Sequence, residues 1–165
     1  WEVLIPAPNR EFTSSDLLIT ETELPSGWTI PEGFLDASDD RRPADSMRIG
    51  IFTSPESPRS NISQYVYNYP FMRRAKRHFK EDTMSTSGIA GWSFSSNYAN
   101  EENFSCTFYR DSDDPICTWE ARYQEIIIEI IGRLEPRYLS LEDMQLVAAL
   151  SDKKVIQTLY GDHGE

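Results

Sequence analysis

The chain has 165 residues, enough for one domain, a net charge of −11 and an aromatic content of 12%. The aromatic content supplies the bulky area that a core needs and argues against a disordered acidic chain. The charge disfavours a phosphate backbone, so no nucleic-acid partner is expected. No apolar run approaches the roughly 18 residues of a membrane span; the longest, Ile126 to Ile131, is interrupted by Glu129.

The chain opens on Trp1 rather than Met, as expected of a processed chain or a piece of a longer one. Residues 1–15, with two Pro and mixed polarity, read as an extended arm or linker. Residues 16–161 read as a single domain and 162–165 as a frayed tail. Thr20 and Glu23 have capping-box spacing, which starts a short helical turn. Trp28 to Ile30 begins a strand that stops at Pro31, and Asp36 to Ser46 is a charged surface loop. Met47 to Ser54 and Ile62 to Tyr69 alternate as strands, the second dense in β-branched and aromatic residues. The period then becomes helical. Pro70 suits the first helical position, and Phe71, Ala75 and Phe79 recur at i, i+4 and i+8, beside Met72. Thr83 to Asn97 reads as loop plus a short strand around Trp92.

The two cysteines, Cys106 and Cys117, flank an acidic turn, "DSDDP". Asn103 to Arg110 and Ile116 to Gln124 read as its two strands. A hairpin centred between Asp111 and Ser112 places the cysteines opposite each other. Opposed residues of a non-hydrogen-bonded pair have Cα atoms about 4.5 Å apart, within disulfide reach. A disulfide is therefore expected in preference to two free thiols, and it implies an oxidising compartment. Two cysteines with this spacing and no nearby His do not make a zinc site. The acidic turn lacks the glycine and distal glutamate of a calcium loop.

Arg122 to Leu134 reads as a strand, with Ile126, Ile128 and Ile130 on one face and Ile127 and Ile131 on the other with Glu125 and Glu129. Ser140 and Asp143 cap a helix from Leu141, with Ser151 as a restart point and Gly161 as its end. Strand runs with few helices, no internal repeat and no low-complexity segment point to an α+β fold. The expected form is an antiparallel β-sheet with helices packed on one face and a C-terminal helix.

This order of elements resembles bacterial extracytoplasmic lipoprotein and sensor-type domains: the PsbP-like lipoproteins and the extracellular sensor domains of receptor-type kinases. The resemblance rests on "LLITETELPSGW", "SQYVYNYPFMRRAKRHF", the cysteine pair and "LSLEDMQLVAALSDKKVIQTL", across residues 16 to 160. Its strand-to-helix pattern reads here as Gln64, Val66, Tyr69, Ala75 and Phe79. The sensor domains usually show more cysteines than this single pair. The resemblance implies an extracytoplasmic location and a binding role, and it supplies no functional residue.

Motifs for chemistry are few. His78 and His163 lack a visible orienting partner, and there is no G-x-S-x-G elbow, P-loop or G-x-G-x-x-G. Asp39-Asp40 and Asp113-Asp114 sit in loops as solvated pairs. No cofactor and no metal are expected. Sequons occur at Asn61 and Asn103. The unusual feature is a basic helix. Residues 71–82 hold Arg73, Arg74, Lys76, Arg77 and Lys80 against Glu81 and Asp82. From totals of 16 basic and 27 acidic residues, this leaves 11 against 25 elsewhere. Arg73, Arg77 and Lys80 follow helical spacing away from Phe71, Ala75 and Phe79. They read either as a solvated face paired with acids of the fold or as a docking surface for an acidic partner.

The leading expectation is a non-enzymatic extracytoplasmic binding domain (periplasmic, cell-surface or secreted), with a lipid anchor upstream of Trp1 as one arrangement. It would use its sheet face and basic helix to engage another subunit, an anionic lipid or a cell-wall polymer. The alternatives are an extrinsic accessory subunit of a membrane or surface assembly, whose arm lies on a neighbour, and a carboxylate-based hydrolase.

Overall fold

A computed structural model describes residues 7–31, 35–36, 43, 45–53, 61–82, 91–108, 114–135 and 137–161. Six strands form one sheet: β1 (Leu35–Asp36), β2 (Asp45–Phe52), β3 (Asn61–Asn68), β4 (Glu101–Thr107), β5 (Ile116–Tyr123) and β6 (Ile126–Arg133). Their order is β1-β2-β3-β6-β5-β4 and every pairing is antiparallel. Among the described residues there are two α-helices, α1 (Met72–Asp82) and α2 (Leu141–Tyr160). The class is α+β with a C-terminal helix, as the strand runs imply. Among the described residues, no helix is long and apolar enough to cross a membrane.

The period-2 alternation of the strands sorts their side chains into two layers. One face carries Ile49 and Ile51, Ile62 and Val66, Ile126, Ile128 and Ile130, and Trp119, Ala121 and Tyr123. These pack with Met144, Val147, Ala148 and Val155 of α2 and with Leu17, Leu18 and Ile19. The last three precede the Thr20 turn, and buried Gln64 satisfies their backbone. Ile19 N–H donates to Gln64 Oε1 at 2.9 Å, and Gln64 Nε2 donates to the Leu17 carbonyl at 3.3 Å. On the opposite face Tyr67 and Ile127 meet Ala75 and Phe79 of α1.

The two helices therefore lie on opposite faces, whereas packing on one face was expected. The cause is β6. It sits in the middle of the sheet and is buried on both sides, Ile127 as fully as Ile126 and Ile128. Each face needs its own cover. A helical apolar stripe shows that a helix packs, not which side of the sheet it packs on.

Local outcomes follow their chemistry. Thr20 and Glu23 close a capping box around the short 3-10 turn Glu21–Glu23, as do Ser140 and Asp143 at the start of α2. A third box, Thr13 with Asp16, opens Ser14–Leu17. The helix α2 runs unbroken through Ser151, which is buried, and ends at Gly161 with φ of 70°. The expected strand at Trp28 is only a bridge between Thr29 and Phe52. The expected strand near Trp92 is absent from residues 91–100. Instead Gln145 Oε1 of α2 accepts from the N–H groups of Ser93 and Phe94 at 2.7 and 3.0 Å. The single strand expected over Arg122 to Leu134 is split by a two-residue turn at Gln124 and Glu125, so Arg122 and Tyr123 belong to β5. Gln124 takes φ of 58° there, a conformation for which Gly or Asn is the usual signal.

Candidate functional site

Cys106 and Cys117 are cross-strand partners of β4 and β5, with Cα atoms 4.0 Å apart, and they form a disulfide. Both are buried on the α2 face. The bond is a staple of the core close to the hairpin tip.

The basic helix is seated from its apolar side. Tyr69 and Pro70 carry the chain off the end of β3, and the Phe71 carbonyl accepts from the N–H groups of Arg74 and Ala75. The helix begins at Met72, so Pro70 lies two residues before the first helical position that was expected for it. Ala75 and Phe79 are buried against Tyr67, Tyr69 and Ile127. His78, half-buried, lies beside Tyr67 and Tyr69 with ring centres 5.7 and 5.5 Å away, and its Nδ1 shares a hydrogen bond with the Tyr69 hydroxyl. With its ring packed between the sheet tyrosines, His78 holds α1 to β3.

The opposite side of α1 presents Arg73, Arg74, Lys76, Arg77 and Lys80, all exposed. The structure brings these five sequence-predicted residues onto one outward surface. Arg74 lies over the Phe71 ring at 5.6 Å, and Arg73, Arg77 and Lys80 are also engaged within the molecule. Seven residues from Arg73 to Lys80 at about 1.5 Å each give a cationic stripe of roughly 10 Å.

The sheet face on the α1 side has a polar row that the sequence alone does not reveal. Strand register aligns Arg48, Tyr65, Glu129, Glu120 and Asn103 across β2, β3, β6, β5 and β4. The Arg48 guanidinium lies over the Tyr65 ring at 5.1 Å and donates to Ser63 Oγ at 2.9 Å. Glu129 accepts from the Tyr67 hydroxyl at 2.9 Å. Glu120 and Glu129 face each other directly, an unfavourable pairing of like charges unless cations or donors compensate it. Sequence spacing could not find this pair, because nine residues separate the two and only the turn at Gln124 aligns them.

Two further polar centres escaped the sequence reading. Arg10 Nε donates to Glu125 Oε1 at 2.9 Å, and Arg10 Nη2 donates to Gln124 Oε1 at 2.7 Å. With the bond from Ala7 N–H to the Pro70 carbonyl at 3.0 Å, this joins the described part of the arm to its own domain. At the other end, the Tyr123 hydroxyl donates to the Asp152 carboxylate, which also accepts from Ser96 Oγ. Burial and that carboxylate push the Tyr123 phenol far above its ordinary range, so it serves as a permanent donor.

The remaining predicted residues are dispersed. Asp114 lies 3.6 Å from Arg133, while Asp39, Asp40, Asp113 and His163 fall outside the described residues. Both sequon asparagines are half-buried on strands. A cavity of about 480 Å³ lies under the arm, lined by Arg10, Phe12, Asp45, Asn68 and Tyr69 among others. A smaller one of about 210 Å³ lies beside Glu23 and Lys154. Neither is lined by Glu120 or Glu129. Among the described residues no group of three metal-ligating side chains converges.

The fold and site together define a disulfide-stapled α+β domain with one cationic helix. No family model matches the chain, and comparison with curated proteins and with solved structures finds no match.

Proposed function

We propose that this is a non-enzymatic extracytoplasmic binding domain that engages an anionic partner through α1. The observation that carries this reading is the display of five exposed cations on one helix of a chain whose net charge is −11. Such a concentration of cations suits a docking surface for a polyanion. The buried disulfide supports the compartment, since such bonds persist where the surroundings are oxidising. Docking of residues 7–13 onto their own sheet favours this reading over an accessory subunit whose arm lies on a neighbour. The hydrolase reading loses support because the opposed carboxylates of Glu120 and Glu129 line neither described cavity.

The test is retention on an immobilised polyanion, inorganic polyphosphate, followed by salt elution. The wild-type chain is expected to be retained and the variant Arg74→Gln/Lys76→Gln to elute at clearly lower salt. Equal elution of the two would exclude α1 as the binding surface.

A further inference from the structure

We infer that the cavity of about 480 Å³ under the arm binds a neutral saccharide, a role separate from that of α1. Its volume lies within the range of small-molecule sites, about 300–1,000 Å³. Asp45 and Asn68 supply its polar groups from the sheet, as register partners at the ends of β2 and β3. Asn68 Nδ2 donates to Asp45 Oδ2 at 2.8 Å, and Ser14 N–H donates to Asp45 Oδ1 at 3.0 Å. Both side chains are fixed before any ligand arrives, which lowers the ordering cost of binding.

The charge of the lining points away from an ion. Its only charged residues are Arg10 and Asp45, one of each sign. Arg10 is paired with Glu125, and Asp45 accepts from two N–H donors, so neither presents a bare charge. What the lining retains is hydrogen-bonding capacity of both kinds. Each Asp45 oxygen can accept a second bond, and Asn68 keeps its Oδ1 and a second Nδ2 hydrogen. Arg10 engages Nε and Nη2, which leaves Nη1, and the exposed Asn9 side chain has no bond among the described residues. Adjoining donors and acceptors match hydroxyl groups, each of which both donates and accepts.

The rest of the lining suits the other half of a sugar. Phe12, Tyr69 and three prolines adjoin these polar groups. A pyranose has apolar C–H faces and a hydroxylated rim. Aromatic and proline rings cover the first while the amide, carboxylate and guanidinium groups bond the second.

The test is an NMR titration of the ¹⁵N-labelled chain with glucose, galactose and N-acetylglucosamine, against choline as a cation and acetate as an anion. At least one sugar is expected to shift the amide signals of Asp45 and Asn68 saturably, and neither ion should. Asn9→Ala should weaken binding about fivefold, the worth of one hydrogen bond, and leave the urea midpoint unchanged. Phe12→Leu, which keeps apolar bulk and removes the ring, should weaken it about as much. Saturable shifts with none of the three sugars, or equal shifts with choline or acetate, would overturn the inference. Unchanged affinity in both variants would do the same. The role of α1 stands or falls separately, on polyphosphate retention.

Discussion

The contact between Arg10 and Glu125 is the most exacting test of the fold. Glu125 is the second residue of the turn joining β5 to β6, a position that is usually solvated, yet it is fully buried. Its carbonyl accepts from Tyr69 N–H at 3.0 Å, its Oε1 is held by Arg10 at 2.9 Å, and its Oε2 has no partner among the described residues. A carboxylate so placed depends on the guanidinium. Removing one member of a fully buried pair costs roughly 3–5 kcal/mol. The Arg10 side chain retains 20% of its exposure, so water can enter the vacated site and lower that cost. Arg10→Ala is therefore expected to destabilise by about 2–3 kcal/mol, a fall in Tm of about 4–12 °C for a chain of this size. Urea unfolding followed by tryptophan fluorescence measures it. Glu125→Gln in the Arg10→Ala background should recover about 1–2 kcal/mol, since the uncompensated charge is then gone. A loss under about 0.5 kcal/mol for Arg10→Ala, with no recovery in the double variant, would refute the latch.

Three more expectations follow from other parts of the molecule. Replacing Cys106 and Cys117 by Ala should cost about 3 kcal/mol, from the loop closed by a separation of 11 residues. A urea midpoint insensitive both to this change and to reductant would contradict it. Phe79→Ala should cost about 3 kcal/mol because the ring is 5% exposed against Tyr67 and Ile127. A loss of surface size would mean that α1 is not docked on the sheet. Burial raises the Glu23 carboxyl, but the Thr20 hydroxyl, the Thr20 N–H and Lys154 outweigh it, and the group sits below its ordinary value of 4.5. A lowered folded value means stability that is complete above the ordinary value and lost as pH falls from there through the folded one. Lys154→Met should therefore reduce stability near neutral pH and flatten its acid decline. A constant loss at every pH down the acid limb of the urea midpoints would rule this out.

The local chemistry was legible because it depends on neighbours in the chain. The capping boxes at Thr20 and Ser140 need only a side chain three residues away, and both form as their spacing implies. The cysteine register needed only a turn centre and a period of two, and Cys106 does face Cys117. The cationic side of α1 followed from helical period, since charge avoids the stripe that packs. The turn at Gln124 was not legible, because no glycine or asparagine marks its positive φ. The burial of Glu125 was hidden for a related reason. Its partner lies 115 residues away, and no pattern in the intervening sequence links them.

Taken alone, the sequence determined most of the elements, the α+β class, the disulfide pairing and the concentration of positive charge on one helix. These are consequences of periodicity, turn chemistry and hairpin geometry, which act over a few residues. Tertiary structure decided what depends on strand order. It sent α1 and α2 to opposite faces because the central strand β6 is apolar on both, and it set Glu120 against Glu129 on the α1 side. Strand order is settled by which apolar faces bury each other, and that competition spans the whole chain.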